Sequence, residues 1–187
     1  HNDLKANNIL VVFNDNSTTP KILKGKFNVY ILNNKNFYIP KTNFIIKIHD
    51  FDFVSSDEFD NSKVKNKYFI ELGIINEHNS IYDLHYFLNT LFKYYNKKKI
   101  NLKKTILEFI FSVFDKKYLN EESKYNKSYR LLIKPNNIMS PYELLFNSDF
   151  FKEFLKTQIN IEKKYNSKIL EEDIRKRDDI LNYTLNS

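Results

Sequence analysis

The chain begins His1-Asn2-Asp3-Leu4-Lys5-Ala6-Asn7-Asn8 and runs directly into Ile9-Leu10-Val11-Val12. A carboxylate, an amine and an amide lie within eight residues, and an apolar run follows at once. Short runs of aliphatic and β-branched residues read as buried strand. A loop that turns sharply against such a strand can point Asp3, Lys5 and Asn8 into one cleft. Further along, Ile45-Ile46-Lys47-Ile48 ends in His49-Asp50-Phe51-Asp52. This is again a strand that delivers a carboxylate, Asp50. Carboxylates are hard oxygen ligands and suit Mg²⁺, which keeps several waters and needs few protein groups.

The pattern H-x-D-L-K-x-x-N before an apolar strand resembles the catalytic loop of protein kinases, and Asp50-Phe51 resembles the start of their D-F-G metal motif. The resemblance implies a division of labour. Asp3 would accept the proton of the substrate hydroxyl. Lys5, as in Ser/Thr kinases, would stand near the transferred phosphate. Asn8 and Asp50 would hold Mg²⁺, and Leu10 would lie under the adenine of ATP. His1 would orient the loop by packing against Phe51. Asp83 would accept backbone N–H groups of the catalytic loop. The implied partners are ATP, Mg²⁺ and a protein substrate, in an intracellular setting: host cytoplasm, or the virion if the protein is viral.

The implied fold is α+β: a mainly helical kinase-like C-lobe with small β-hairpins around the active site. Since the catalytic loop stands at residue 1, the N-lobe is expected upstream of this chain and absent from it. The Gly-rich loop and strand Lys that grip ATP are not found here, the only glycines being Gly25 and Gly73. Residues 1–187 alone are therefore expected to be a half-site with negligible turnover.

Taken in order, residues 1–54 carry the catalytic and metal loops. Asp50 follows Asp3 at a far greater distance than in a usual kinase hairpin. The alternating run Lys26–Leu32, the turn signal Asn33–Asn36 and the return Asn36–Pro40 predict an inserted β-hairpin at 25–40. A similar insertion resembles kinase-like proteins of large DNA viruses. Residues 55–80 are polar and correspond to an activation segment without A-P-E. Asn2 replaces the Arg that in many kinases pairs with an activation-loop phosphate, which argues against phosphorylation as the switch. The helical part is expected over 81–158. Ile81, Leu84, Phe87, Leu88, Leu91 and Phe92 recur at helical spacing from Ser80, with Asp83 in the first turn. A second helix is expected over 101–116, capped by Asn101. Ser140-Pro141-Tyr142-Glu143 reads as a capping box with Pro at the first helical position. The string after it, with Phe150-Phe151, resembles an element near the end of the kinase C-lobe. Residues 159–187 form a charged tail, helical over 160–182.

Composition narrows the alternatives. The 187 residues carry 42% hydrophobic and 16% aromatic side chains, enough for a sizeable core. The absence of cysteine rules out disulfides and thiolate metal sites, and no apolar run is long enough to span a membrane. The net charge of +7 is scattered and no nucleic-acid-binding motif accompanies it, so nucleic acid is not an expected partner. His49, His78 and His85 are not spaced as a metal site. Two other readings stay open. Asp50-Phe51-Asp52 also resembles the D-x-D of aminoglycoside or choline kinases, with Asp52 as a second metal ligand. Alternatively, Asp52 substitutes for the Gly that permits positive φ. A non-catalytic pseudokinase is the third reading, against which Asp3, Lys5, Asn8 and Asp50 are all present.

Overall fold

The apolar runs on either side of the inserted segment pair with one another. In the computed structural model, which describes residues 1–155 except 57, 75–78, 99–101, 120, 122, 134 and 136, β1 (Ile9–Phe13) and β4 (Phe44–Ile48) form a two-stranded sheet. Between them β2 (Ile22–Leu32) and β3 (Lys35–Thr42) make an antiparallel hairpin. Leu32 stands opposite Lys35, so the loop is Asn33-Asn34 alone, with φ of 48° and 57°. Two left-handed residues match the twist of the flanking strands, and Asn tolerates that geometry. The turn is thus shorter than the four-residue signal, and the hairpin is longer at its base than 25–40. Pro40 sits inside β3 opposite Phe27. Both strands of a two-stranded sheet are edges, so the missing donor is tolerated.

The architecture is α+β. Its helices are α1 (Lys67–Glu71), α2 (Tyr82–Lys98), α3 (Lys104–Val113), α4 (Pro141–Asn147) and α5 (Asp149–Lys152), with the two-residue strands β5 (Asn126–Lys127) and β6 (Arg130–Leu131) paired after α3. The chain divides into two compact units. One comprises His1–Leu10 and Ile46–Leu144. The other comprises Val11–Ile45 and the chain from Leu145 onward. In the second unit the hairpin buries Phe37, whose ring meets Phe146 edge-on at 5.5 Å.

The first unit is built around α2. Its expected apolar stripe is only partly buried: Ile81 and Leu88 are in the core, while Leu84, Phe87, Leu91 and Phe92 are half-buried. The most buried stripe is Tyr82, His85, Tyr86 and Asn89, the same helical spacing one face over. These side chains carry polar tips into the core, where a partner is obligatory. Tyr82 Oη donates to the Gly73 carbonyl at 2.6 Å, and Asn89 Nδ2 donates to the Tyr129 carbonyl at 2.9 Å. α3 packs Phe109, Ile110 and Val113 inward. It starts at Lys104, later than expected, and it ends as Phe114 turns extended; the proposed cap Asn101 lies outside the described residues. The segment 55–80 contains more structure than its polarity suggests. Asn61 and Asn66 each accept a backbone N–H two residues on, capping a 3₁₀ turn (Ser62–Lys65) and α1. The Ser140 capping box is present in full: Ser140 N donates to Glu143 Oε2 at 2.7 Å and Glu143 N donates to Ser140 Oγ at 3.3 Å. Beyond it Leu144 is buried, whereas Leu145, Phe150, Phe151 and Phe154 are half-buried. The expected helix over 160–182, and His78, lie outside the described residues. Among the described residues no helix is long and apolar enough to cross a membrane.

His85 makes the core sensitive to acid. Its Nε2 lies 2.6 Å from the Tyr118 carbonyl, which can only accept, so Nε2 carries the proton. Nδ1 is buried with no hydrogen-bond partner among the described residues. Burial lowers the imidazole pKa from 6.5 to about 4. Above pH 6.5 the ring is neutral in both folded and unfolded chains. Between 6.5 and 4 the unfolded chain binds a proton that the native ring refuses, so stability falls with pH, and below 4 this loss stops growing. The full loss is on the order of 3 kcal/mol. Urea unfolding of wild type and His85→Gln should diverge across this window, the variant losing less stability from pH 7 to pH 4.5. Parallel curves would show that His85 does not carry the effect.

Candidate active site

The loop from His1 to Asn8 is held from below by α2. The Asp83 carboxylate, in the first turn of that helix, accepts from two backbone amides, Asn2 N (3.3 Å) at Oδ2 and Leu4 N (3.3 Å) at Oδ1, and pairs at Oδ2 with the His1 α-amino group (2.9 Å). Two turns further on, Thr90 Oγ1 accepts from Ala6 N at 3.3 Å. The Asp83 side chain is half-buried, and these bonds replace part of its hydration while they fix the loop. Thr90 is invisible to motif reading, because nothing in its neighbours marks it.

The His1 ring locks the loop from another side. Its Nε2 lies 3.1 Å from the His49 carbonyl, so that nitrogen carries hydrogen, and Nδ1 then accepts from Asp3 N at 3.2 Å. The ring rests against Phe51 with centroids 5.0 Å apart. Asn2 takes a left-handed φ of 62° and donates from Nδ2 to the Phe53 carbonyl and to Ser55 Oγ, both at 3.0 Å. Asn2 thus ties the loop to the segment after Asp50 with neutral groups.

The loop and the β4 end meet at Asn8. Its Nδ2 lies 3.0 Å from Asp3 Oδ2, 3.0 Å from the Asp3 carbonyl and 3.3 Å from Asp50 Oδ2. Asn8 and Asp3 are buried, Asp3 to 1% exposure. Lys5 Nζ reaches Asp3 Oδ2 at 2.6 Å and remains partly open to solvent. His49 N donates to the Asn8 carbonyl at 3.0 Å, closing the β1–β4 pair next to the site. Asp50 itself is left-handed, with φ of 62°. Leu10 lies on β1, 45% exposed, with Ile46 and Ile48 of β4 also exposed, so the expectation of a buried strand is corrected: a two-stranded sheet leaves these aliphatic side chains open.

Asp52 is not part of this cluster. Its carboxylate pairs with Lys63 at 2.7 Å on an exposed surface, and its φ is not left-handed. The strained position is Asp50, two residues earlier, so the expectation that Asp52 fills a glycine-like role is corrected. The remaining oxygen donors are the Asp50 carboxylate and the Asn8 amide. Among the described residues no cluster of three or more His, Cys, Asp or Glu is placed to hold a metal. One carboxylate and one amide suit Mg²⁺, which completes its shell with waters and phosphate oxygens.

One residue of the cluster is absent from the sequence reading. Arg130, at the start of β6, pairs through Nη2 with Asp3 Oδ1. It is 9% exposed and its guanidinium stacks 4.3 Å from the Tyr86 ring centroid. Burial pushes the Tyr86 phenol up to about 12 despite the guanidinium beside it, so the ring is neutral. A signal was present in composition: Arg130 is the only arginine among residues 1–155, in a chain that otherwise uses lysine.

The chain matches the sequence model of the family described as poxvirus serine/threonine protein kinase over residues 1–156. A protein of Acanthamoeba polyphaga mimivirus, provisionally named serine/threonine-protein kinase R400, is 31% identical over 161 residues, which is 82% of this chain and 33% of that protein. Serine/threonine-protein kinase 2 of monkeypox virus and that of vaccinia virus are each 33% identical over 114 residues, 59% of this chain and 22% of theirs. The chain thus spans a third or less of the length of these curated relatives. No solved structure matches it.

Hydrogen bonds to a charged acceptor contribute about 1.5–3 kcal/mol each. Asp83→Ala should therefore raise amide exchange at Asn2 and Leu4 by roughly tenfold or more. Hydrogen exchange followed by NMR reads this directly, and unchanged protection would mean the loop is held without Asp83.

Proposed function

The chain belongs to the poxvirus serine/threonine protein kinase family, and from that premise we propose that it forms the C-lobe part of a kinase transferring phosphate from ATP to protein Ser or Thr hydroxyls. The observation that carries this reading is the convergence at Asn8. One amide touches carboxylates from two loops, Asp3 and Asp50, 47 positions apart. Phosphoryl transfer needs positioning and charge neutralisation more than covalent help, and this cluster supplies both.

In the proposed reaction the substrate hydroxyl oxygen attacks the γ-phosphorus, its proton passes to the Asp3 carboxylate, and ADP leaves. Asn8 and Asp50 would hold Mg²⁺, which supplies charge neutralisation to the phosphates when bound. Lys5 lies over Oδ2 of Asp3 from the solvent side. Its transfer to the phosphate on nucleotide binding opens Asp3 to the hydroxyl. Leu10, Ile46 and Ile48 offer exposed apolar surface of the kind that a flat adenine ring covers. A small-molecule phosphotransferase would be favoured by Asp52 at the metal, and its pairing with Lys63 gives that reading no support.

The test is phosphoryl transfer to a generic protein substrate by the intact protein. Asp50→Asn should abolish Mg²⁺-dependent nucleotide affinity. Asp3→Asn should lower kcat by roughly 10²–10⁴-fold while sparing nucleotide binding. Asp3→Asn also leaves the Arg130 charge buried without its partner, which costs about 3–5 kcal/mol. Kinetics must be taken well below the melting temperature of the variant. Full turnover in a folded Asp3 variant would sink the base assignment. Residues 1–187 alone should show weak ATP affinity and negligible turnover, because no Gly-rich phosphate loop lies within them. Micromolar ATP binding with steady turnover by that chain would mean the cleft is built another way.

A further inference from the structure

Several unusual features of the first unit converge on one guanidinium. The β5–β6 turn places Ser128 and Tyr129 at φ of 50° and 67°, a conformation that a bulky residue rarely adopts. Tyr129 is held there from three directions. Its N donates to the Glu121 carbonyl at 3.1 Å, its Oη donates to Glu121 Oε2 at 2.9 Å, and its carbonyl accepts from Asn89 Nδ2. Lys93 Nζ also sits 4.2 Å from its ring centroid. The next residue is Arg130. Opposite it stands Gly73, at φ of 84°, where an added Cβ would come within 3.2 Å of both Arg130 Cβ and the Lys127 carbonyl oxygen. Tyr86 supplies a flat surface for the guanidinium to lie on.

Strain that the surroundings overdetermine points to a geometry with a use. Stability alone does not explain this one, since buried ion pairs are often no better than apolar packing of the same volume. Nor does charge alone explain it. Lysine serves elsewhere through residue 155, and here the chain uses the one side chain that is planar, stacks on aromatic rings and keeps a fixed donor direction. The guanidinium Nε is left buried with no hydrogen-bond partner among the described residues. The side chain is therefore placed for Asp3 rather than for its own full satisfaction.

We infer that Arg130 is a positioning residue of the phosphotransfer centre: it clamps Oδ1 of Asp3, so that Oδ2 faces Lys5, Asn8 and the incoming hydroxyl. The inference rests on the reading of Asp3 as the proton acceptor. The carboxylate has one free rotation about its Cβ–Cγ bond, and Lys5 and Asn8 both act on the same oxygen. Arg130 supplies the second point that fixes the plane. Misplacing a reacting group by about 1 Å costs on the order of 10²-fold in rate.

The experiment compares Arg130→Met, Arg130→Lys and wild type in the intact protein, below the melting temperature of each. Arg130→Met should lower kcat by roughly 10²-fold with KM for ATP nearly unchanged, since Arg130 lies on the base and not on the nucleotide. Arg130→Lys should recover part of that loss. Phe114→Leu, a core change away from Asp3, controls for lowered stability and should keep its kcat. A folded Arg130→Met protein with wild-type kcat overturns the inference, as does a loss that Phe114→Leu reproduces at equal stability. If wild type transfers no phosphate, it is the kinase reading that has failed. Arg130 is then judged by the side-chain amide NMR signals of ¹⁵N-labelled Asn8, which report its bond to Asp3. Their shift and faster exchange in Arg130→Met support clamping of the carboxylate, and unchanged signals overturn it.

Discussion

A single carboxylate, that of Asp83, takes up backbone donors at the start of a loop whose only regular structure is a 3₁₀ turn over Ala6–Asn8. Loop N–H groups normally turn to water, and a loop left to water has many conformations. Here two of them, those of Asn2 and Leu4, are spent on one acceptor at the start of α2. The loop thereby inherits the rigidity of a helix packed on several sides. Everything that follows at the site depends on this transfer. Asp3, Lys5 and Asn8 can converge because the backbone carrying them has nowhere else to go, and the His1 ring then adds a bond between the Asp3 amide and the His49 carbonyl.

Much of the fold is legible in the sequence where the determinants are local. The capping box at Ser140 is such a case, since both partners lie within one turn of helix. The Asn33-Asn34 hairpin is another, because turn type follows from residues that tolerate left-handed φ. α2 shows the limit. Hydrophobic periodicity selects Leu84, Leu88 and Leu91, while the deepest face is Tyr82, His85, Tyr86 and Asn89. The polar tips of Tyr82, His85 and Asn89 each meet a backbone carbonyl elsewhere in the chain, and the Tyr86 ring lies against Arg130. Periodicity cannot see such partners. The same applies to Asp52, which looks like a metal ligand from its spacing to Asp50 and is instead held by Lys63 on the surface.

The candidate site divides in the same way. The residues that come from two short motifs, Asp3, Lys5, Asn8 and Asp50, can be named from the sequence and are brought together by the fold. Thr90 and Arg130 cannot be named from motifs, since they approach from 84 and 127 positions away. Composition offered the only clue to Arg130. Among residues 1–155, which meet every other need for positive charge with lysine, a single arginine marks a place where shape matters as well as charge.

The inserted hairpin is joined at its root. Asn14 N donates to the Asn43 carbonyl at 2.8 Å, and Asn43 N and Oδ1 bond the carbonyl and amide of Lys21. Phe13 and Phe44, the last and first residues of the flanking strands, meet ring to ring at 6.1 Å. A segment that leaves and re-enters at one closed point behaves as a module. Its length can grow or shrink at little entropic cost, roughly 0.6 kcal/mol per doubling, without altering how β1 pairs with β4. Evolution can therefore revise the hairpin, and whatever surface it presents, independently of the strand pair that leads into Asp50.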